Sequence, residues 1–193
     1  MKNLVINIHG FLASPEAEKI VGFRKHIHES YGNVDLISPL VPDKPEKAVA
    51  LIEGLIKDNK NGYRNIALIG HSLGGYYATY IATKYQLRAV LVNPVVRGYE
   101  IMCEFFGECY NPHTESKFEI TERDIDFLCG IHLETLSDTN LFYVMQQLGD
   151  EINEPEQVLA YYKGCKMLVE EDGCHDFSGF AKHTQDIIKF LFG

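Results

Sequence analysis

The stretch that decides the fold runs from Asn65 to Gly74 and reads NIALIGHSLG. Its first half is almost wholly apolar and has the length of a strand that is buried on both faces. Its second half contains the pattern G-x-S-x-G around Ser72, and a helical pattern begins near Leu73. A serine on a sharp turn between a buried strand and a helix is typical of a nucleophile elbow. Ser72 is therefore the predicted nucleophile.

The pattern G-x-S-x-G is weak evidence by itself, because glycine and serine are common residues. The residues around the pattern support the assignment of Ser72 as nucleophile. Gly70 and Gly74 flank Ser72 at positions where a Cβ atom would collide with the neighbouring strand or helix. Ala78 and Ala82 continue a small-residue face along the helix, which allows the helix to approach the sheet closely. The alternative is a glycine-rich turn in which the serine is incidental.

Short apolar runs alternate with longer amphipathic runs along the chain, a pattern that predicts a parallel sheet covered by helices. The predicted strands are Leu4–Ile8, Val34–Ile37, Asn65–Ile69, Ala89–Val92, Leu141–Met145 and Lys166–Glu170. The predicted helices are Pro15–Ser30 with Ser14 as N-cap, Glu46–Lys57, Leu73–Tyr85, Glu154–Tyr162 and Ser178–Phe192. We expect a single α/β-hydrolase domain over residues 1–193, with a mostly parallel sheet of about six strands and helices on both faces.

The segment from Arg97 to Asp138 interrupts this rhythm. It is longer than a crossover requires, and it mixes aromatic residues with acidic ones. We predict that residues 97–138 form a lid, or cap, over the top of the sheet. Its aromatic side chains have two open interpretations: they supply the pocket for an acyl chain, or they only pack the cap onto the sheet.

A serine nucleophile needs a base and an acid that orients the base, and in this fold the chain order is serine, acid, histidine. His175 lies in a loop just after the last predicted strand, at the end of the sheet where active-site loops gather. His183 falls inside the closing helix and is expected at the surface. His175 is the predicted base.

Asp150 is the preferred acid because it follows the strand-like run Leu141–Met145. Glu151 is its nearest rival. Asp138 precedes the same strand, so it should lie at the wrong end of the sheet. Asp172 and Asp176 are too close in sequence to His175 to reach the far nitrogen of its ring easily.

An oxyanion requires hydrogen-bond donors as well. One predicted donor is the backbone N–H of Leu73, at the start of the helix after the nucleophile. The other is the backbone N–H of Phe11, in the loop after the first strand, where Gly10 permits a close approach. His9 is assigned a structural role in shaping that loop.

Composition excludes several other classes. The net charge of -9 argues against a nucleic-acid partner. Five cysteines, with no C-x-x-C pair, favour reduced thiols in the cytoplasm. The N-terminus is interpreted as the first strand and not as a signal peptide, and no apolar run reaches the roughly 18 residues of a membrane span. The sequence lacks the P-loop, G-x-G-x-x-G and H-E-x-x-H motifs, and no metal site is expected.

Several motifs together resemble the YqiA-like esterases, a small bacterial family of α/β-hydrolases. They are Ile8–Phe11 with Ser14-Pro15, Gly70–Thr79, Val92–Arg97, Gln146-Gln147, Gly149–Glu151, Ala160–Tyr162, and His175 with Phe177 and Gly179-Phe180. The resemblance implies a compact fold without N-terminal antiparallel strands, esterase or acyl-thioesterase activity and no cofactor. It implies the roles of nucleophile, acid and base for Ser72, Asp150 and His175. His71 and the residues beside His175 depart from some relatives, which bears on substrate preference.

The expected function is therefore hydrolysis of small-molecule acyl esters or thioesters through a Ser-His-Asp triad and an acyl-enzyme intermediate. One alternative is a binding module for a small molecule or protein partner on a hydrolase scaffold that has lost turnover. Another is acyl transfer to an acceptor other than water.

Overall fold

The computed structural model describes residues 1–193 and contains a six-stranded sheet covered by helices. The strands are β1 (Asn3–Ile8), β2 (Val34–Ile37), β3 (Ile66–His71), β4 (Ala89–Val92), β5 (Gly107–Asn111), β6 (Ser116–Ile120), β7 (Phe142–Gln147) and β8 (Lys166–Glu170). The helices are α1 (Glu18–Ser30), α2 (Pro45–Asn59), α3 (Leu73–Tyr85), α4 (Gly98–Cys103), α5 (Glu122–Ile131), α6 (Pro155–Tyr161) and α7 (Thr184–Phe192). None of these helices is both long and apolar enough to cross a bilayer.

The order of strands in the large sheet is β2-β1-β3-β4-β7-β8, and every neighbouring pair is parallel. The chain passes from β1 to one edge at β2 and then crosses to β3 on the other side of β1. The loops that leave β1 and β3 therefore diverge, and ligands of open α/β sheets bind in the crevice at such a switch point. Ser72 follows β3 and Phe11 lies in the loop after β1.

Side chains alternate between two apolar layers, because successive residues of a strand point to opposite faces. Leu4, Ile6 and Ile8 of β1 join a core with α2 and α3 on one face of the sheet. Val5 joins a second core with α1 and α7 on the other face. Both faces are thus covered, and the predicted α/β-hydrolase architecture is confirmed.

The segment between β4 and β7 contains α4, the antiparallel hairpin β5–β6 and α5. The loop between β2 and α2 holds this segment in place. The Nζ atom of Lys44 pairs with the buried carboxylate of Asp124 at the start of α5. The Nδ2 atom of Asn111 donates to Asp43 Oδ1 over 2.6 Å. These polar contacts anchor both the hairpin and α5 to the body of the protein.

Two helix boundaries differ from the prediction. Helix α1 begins at Glu18 and not at Pro15, since the hydroxyl of Ser14 accepts from the N–H of Glu16 in a local turn and does not cap a helix. The closing helix begins at Thr184, after Gly179 in the left-handed region and a short 3-10 turn. In both places local hydrogen bonds delay the start of the helix.

The fit of α3 against β1 yields a stability test. A Cβ atom on Gly74 would overlap the carbonyl group of Ile8, so Gly74→Ala should lower the free energy of unfolding by about 3 kcal/mol, as overpacking of a tight site does. Gly54, within α2, is the matched control because a Cβ there meets open space. Gly54→Ala should raise the free energy of unfolding by about 0.5–1 kcal/mol. Urea denaturation measures both, and equal effects would contradict the packing described.

Candidate active site

Ser72 occupies a sharp turn between β3 and α3, with φ 55° and ψ -123°. A non-glycine residue in this part of backbone space is strained, and such strain clusters at functional sites. The backbone of Ser72 is fixed on both sides by the end of β4. Its N–H donates to Val92 O and its carbonyl accepts from Val95 N, each over 3.1 Å. The turn therefore presents the serine side chain at the carboxyl end of the sheet.

The loop after β1 lies directly against this turn. A Cβ atom on Gly10 would lie 3.1 Å from Ser72 Cβ, so only a glycine fits without displacement. The backbone N–H groups of Phe11 and Leu73 make no hydrogen bond to any protein acceptor. Two free donors thus belong to the loop and the helix that meet at Ser72, which is the arrangement that an oxyanion hole requires.

His9 fixes the shape of the loop after β1, which agrees with its assigned structural role. Its Nε2 atom accepts from the N–H of Val41 over 2.9 Å, and its Nδ1 atom lies 2.8 Å from Gly10 O. Because a carbonyl can only accept, the proton resides on Nδ1. Burial lowers the pKa of His9, so its ring remains neutral near pH 7.

Asp150 and His175 are brought together in the loops after β7 and β8. The Nδ1 atom of His175 lies 2.8 Å from Asp150 Oδ1, and the Asp150 side chain has no exposed surface. Burial acts to raise the pKa of Asp150, but hydrogen bonds from His175, Asn153 and Ile152 outweigh it and lower the pKa below its ordinary value. Asp150 is therefore ionised at neutral pH and accepts the Nδ1 proton of His175.

This pairing sets the tautomer of His175. With the proton on Nδ1, the lone pair of Nε2 is available to accept a proton, as a general base requires. The structure contains no hydrogen bond between Ser72 and His175, although the neighbouring His71 ring lies 5.0 Å from that of His175. Such contacts often tighten only when substrate binds.

The other acids predicted as rivals have different partners. The carboxylate of Glu151 accepts from the backbone N–H of His175 over 2.9 Å and does not contact the ring. Asp138 accepts from Asn140 N before β7, at the opposite end of that strand from Asp150. Asp176 is 89% exposed and pairs with Lys19. Asp150 is the acid that reaches the imidazole.

Sequence reasoning assigned no individual roles to the polar residues that hold the loop carrying His175. The Nδ2 atom of Asn93 donates to the carbonyls of Cys174 and His175, and Gln147 Oε1 accepts from the N–H of Cys174 and Ser178. The available signal was weak: one polar residue follows the buried strand β4, and another ends the buried strand β7. Only the fold shows that both side chains turn toward one loop.

The cavity beside the loop after β1 is small. It has a volume of about 10 Å³, room for roughly one water molecule, and its lining includes Phe11 and Leu73. The ring of Phe11 packs edge-to-face against Phe105 at 4.9 Å and Phe118 at 5.9 Å, both from the segment between β4 and β7. Aromatic residues of that segment thus hold the ring of Phe11 in the loop after β1.

Several larger cavities are also present. One of about 400 Å³ separates the loop after β4 from the start of α6. Another, of about 900 Å³, lies at the amino ends of β3 and β4, far from Ser72, Asp150 and His175, none of which lines it. No cluster of three or more histidine, cysteine or acidic side chains is arranged to hold a metal ion, and all five cysteines are unpaired.

The buried ring of His71 generates a pH prediction. Its Nε2–H donates to the carbonyl of His175 over 2.8 Å, and burial, with the charge of Lys19, lowers the pKa of His71 to about 3. Between pH 6.5 and 3 the His71 ring is protonated in the unfolded protein but not in the native protein. The free energy of unfolding therefore falls as pH falls. From pH 7 to pH 5 the wild type should lose about 2 kcal/mol more unfolding free energy than His71→Gln.

Urea denaturation at several pH values measures this difference. His26→Gln, at an exposed position of α1, controls for the loss of a histidine as such and should follow the wild type. Parallel pH curves for the wild type and His71→Gln would refute the assignment.

Comparison with known proteins agrees with this architecture. Est1E from Butyrivibrio proteoclasticus superimposes with a TM-score of 0.74 at 16% identity, over 98% of this chain and 87% of that one. Alpha/beta hydrolase domain-containing protein 10 from mouse gives 0.70 at 16% identity, over 97% and 90%. The esterase domain of a Rhodothermus marinus protein gives 0.71 at 13% identity, over 96% and 84%. At these identities the likeness concerns the fold.

The sequence itself matches a family model. Residues 4–192 match the model described as uncharacterised protein family UPF0227, which covers nearly the whole chain. The match confirms the resemblance that the motifs indicated. The chain belongs to the UPF0227 family, the YqiA-like family, and has the α/β-hydrolase fold.

Proposed function

We propose that this protein is a serine hydrolase of carboxylic esters, with Ser72 as nucleophile, His175 as general base and Asp150 as the acid that orients it. The observation that carries the proposal is the partly buried Asp150–His175 hydrogen bond of 2.8 Å at the same end of the sheet as the strained turn of Ser72. Likeness to esterases of the same fold supports it.

The chemistry follows from the two free donors and the tautomer of His175. The hydroxyl oxygen of Ser72 attacks the acyl carbon while His175 Nε2 takes the hydroxyl proton, and the ionised Asp150 stabilises the imidazolium. The N–H groups of Phe11 and Leu73 receive the negative charge that develops on the carbonyl oxygen. The intermediate then expels the alcohol or thiol, which takes the proton from His175. Water, activated by His175, releases the acid from the acyl-enzyme.

The proposed substrate is a small-molecule ester or thioester with a short acyl group. The segment 97–138 serves as the cap, because its residues Phe105 and Phe118 pack on the ring of Phe11. The cavity lined by Phe11 and Leu73 holds about one water molecule. Est1E, which shares the fold, has been solved with ferulic acid bound, so esters of aromatic acids belong among the substrates to be screened. The unpaired cysteines favour a reducing compartment such as the cytoplasm.

The first expected result concerns Ser72. A fluorophosphonate should label the wild type at Ser72, and Ser72→Ala should abolish labelling and lower kcat on p-nitrophenyl acetate by about 10⁴-fold or more. Mass spectrometry of the labelled peptide and steady-state kinetics measure these effects. Folded wild-type protein that is neither labelled nor active on esters or thioesters of any acyl length would reject the proposal in favour of a binding module.

The two neighbouring acids give the matched control. Asp150→Asn removes the charge that faces the imidazole and should lower kcat by about 10⁴-fold. Glu151→Gln retains an oxygen that can accept from the backbone N–H of His175, so its kcat should change less than about threefold. The reverse order would assign the orienting role to Glu151. Added alcohol or amine acceptors, followed by product analysis, separate hydrolysis from acyl transfer.

Acyl-chain selectivity tests the cap. Phe118→Ala removes a ring that packs on Phe11, so kcat/KM for p-nitrophenyl hexanoate relative to acetate should rise about tenfold. Phe106→Ala is the control, because Phe106 belongs to the same segment but is 60% exposed. If both variants keep the wild-type ratio, the aromatic residues only pack the cap onto the sheet.

A further inference from the structure

The end of β4 is in contact with all three proposed catalytic loops. This strand lies between β3, which precedes Ser72, and β7, which precedes Asp150. Residues 92 and 95 bond the backbone of Ser72, as described above. Asn93, between them, lies in the left-handed region with φ 40° and has no exposed surface. Asparagine is enriched among the non-glycine residues that tolerate this conformation.

The side chain of Asn93 holds the loop of the base. Its Nδ2 group donates to the carbonyls of Cys174 and His175, each over 2.9 Å. Its Oδ1 atom accepts from the N–H of Gln147 over 2.9 Å, which fixes the orientation of the amide. The amide group thus donates to the two backbone carbonyls that lie on either side of the Cα atom of His175.

The backbone of Asn93 holds the loop of the acid. Its carbonyl accepts from Asn153 Nδ2 over 2.9 Å, and the N–H of Asn153 donates to Asp150 Oδ1 over 3.0 Å. One residue therefore contacts the base loop through its side chain and the acid loop through its main chain. The hydrogen bond between Asp150 and His175 closes this ring of contacts.

We propose that Asn93 is a positioning residue that sets the distance and alignment between Asp150 and the imidazole of His175. The catalytic part of this inference rests on the proposed function, whereas the geometric part does not. A buried amide without partners is destabilising, so complete satisfaction of Asn93 indicates a site built around those contacts. A displacement of about 1 Å in a catalytic group can cost about 10²-fold in rate.

The decisive variant is Asn93→Asp, which keeps the shape of the side chain. An ionised carboxylate would present an oxygen to the carbonyls of Cys174 and His175, and a protonated one could donate to only one of them. Gln147 still accepts from the N–H groups of Cys174 and Ser178, so the loop retains a second attachment. The variant thus loosens the base and leaves its loop anchored.

The expected result has a kinetic and a spectroscopic part. On p-nitrophenyl acetate kcat should fall about 10²-fold, with KM changed less than about threefold. In proton NMR of the free protein, the low-field resonance of the Nδ1–H shared by His175 and Asp150 should broaden or disappear. That resonance reports the geometry of the pair directly, and a purely structural role would leave it in place.

Asn7→Asp is the matched control. Asn7 is a buried asparagine of β1 whose Nδ2 donates to Ser38, and it makes no hydrogen bond to the loops of the base or the acid. This variant should keep the resonance and the native kcat even if its thermal stability falls. If Asn93→Asp does not fold, Asn153→Ala is the second variant. It removes the hydrogen bond from Asn153 Nδ2 to the carbonyl of Asn93, at a partly exposed position, and should lower kcat about tenfold.

The two hypotheses fail in different ways. A folded Asn93→Asp variant with native kcat and an unchanged resonance overturns the positioning role. If Asn93→Asp cannot be purified, an Asn153→Ala variant with native kcat and an unchanged resonance overturns it as well. The proposed function survives either result as long as Ser72 is labelled. Wild-type protein without esterase activity overturns the function, whereas the resonance still decides whether Asn93 sets the geometry of the pair.

Discussion

The contact between the first turn of α3 and the end of β1 is the constraint on which the site depends. A side chain on Gly74 would overlap the carbonyl group of Ile8, and one on Gly70 would overlap the backbone of Gly74. The absence of these side chains allows the helix to begin immediately after the strand. Ser72 is consequently forced into its strained turn, and the N–H of Leu73 is left without an acceptor.

The same constraint brings together the two sides of the sheet's switch point. Since α3 packs on β1, the loop after β1 lies against the turn of Ser72, where Gly10 approaches closely. The loops after β7 and β8 come from the opposite side and carry Asp150 and His175. The site is thus assembled from four strand ends, and the register of the parallel sheet decides whether they converge.

Local patterns were sufficient to predict the sheet, the turn at Ser72 and the pairing of Asp150 with His175. Each of these features depends on a residue's place relative to a buried strand, and apolar runs reveal such strands. The start of α1 could not be predicted in this way, because the hydroxyl of Ser14 had two competing uses, as a helix cap or in a local turn. The inserted segment was predicted only as a cap, and its hairpin was not foreseen.

The hydrogen bonds of Asn93 were beyond the reach of sequence patterns for a different reason. They join residues separated by 54 to 82 positions, and a single polar residue at a strand end has no periodicity to mark it. Hydrogen-bond partners of this kind can be identified only from the three-dimensional structure, in which the loops lie next to each other. The strand end that carries a proposed catalytic group can therefore be predicted from sequence, but the side chains that bond its loop cannot.

The position of the segment proposed as the cap bears on the proposed acyl selectivity. Lys44 and Asp43 attach α5 and the hairpin β5–β6 to the loop before α2, so the segment proposed as the cap is fixed to the body of the protein. Phe105 and Phe118 then meet the ring of Phe11, whose own N–H is a proposed oxyanion donor. An acyl chain that displaces these rings must also disturb the loop that carries this donor. Selection against long acyl groups would thus act on the transition state as well as on binding.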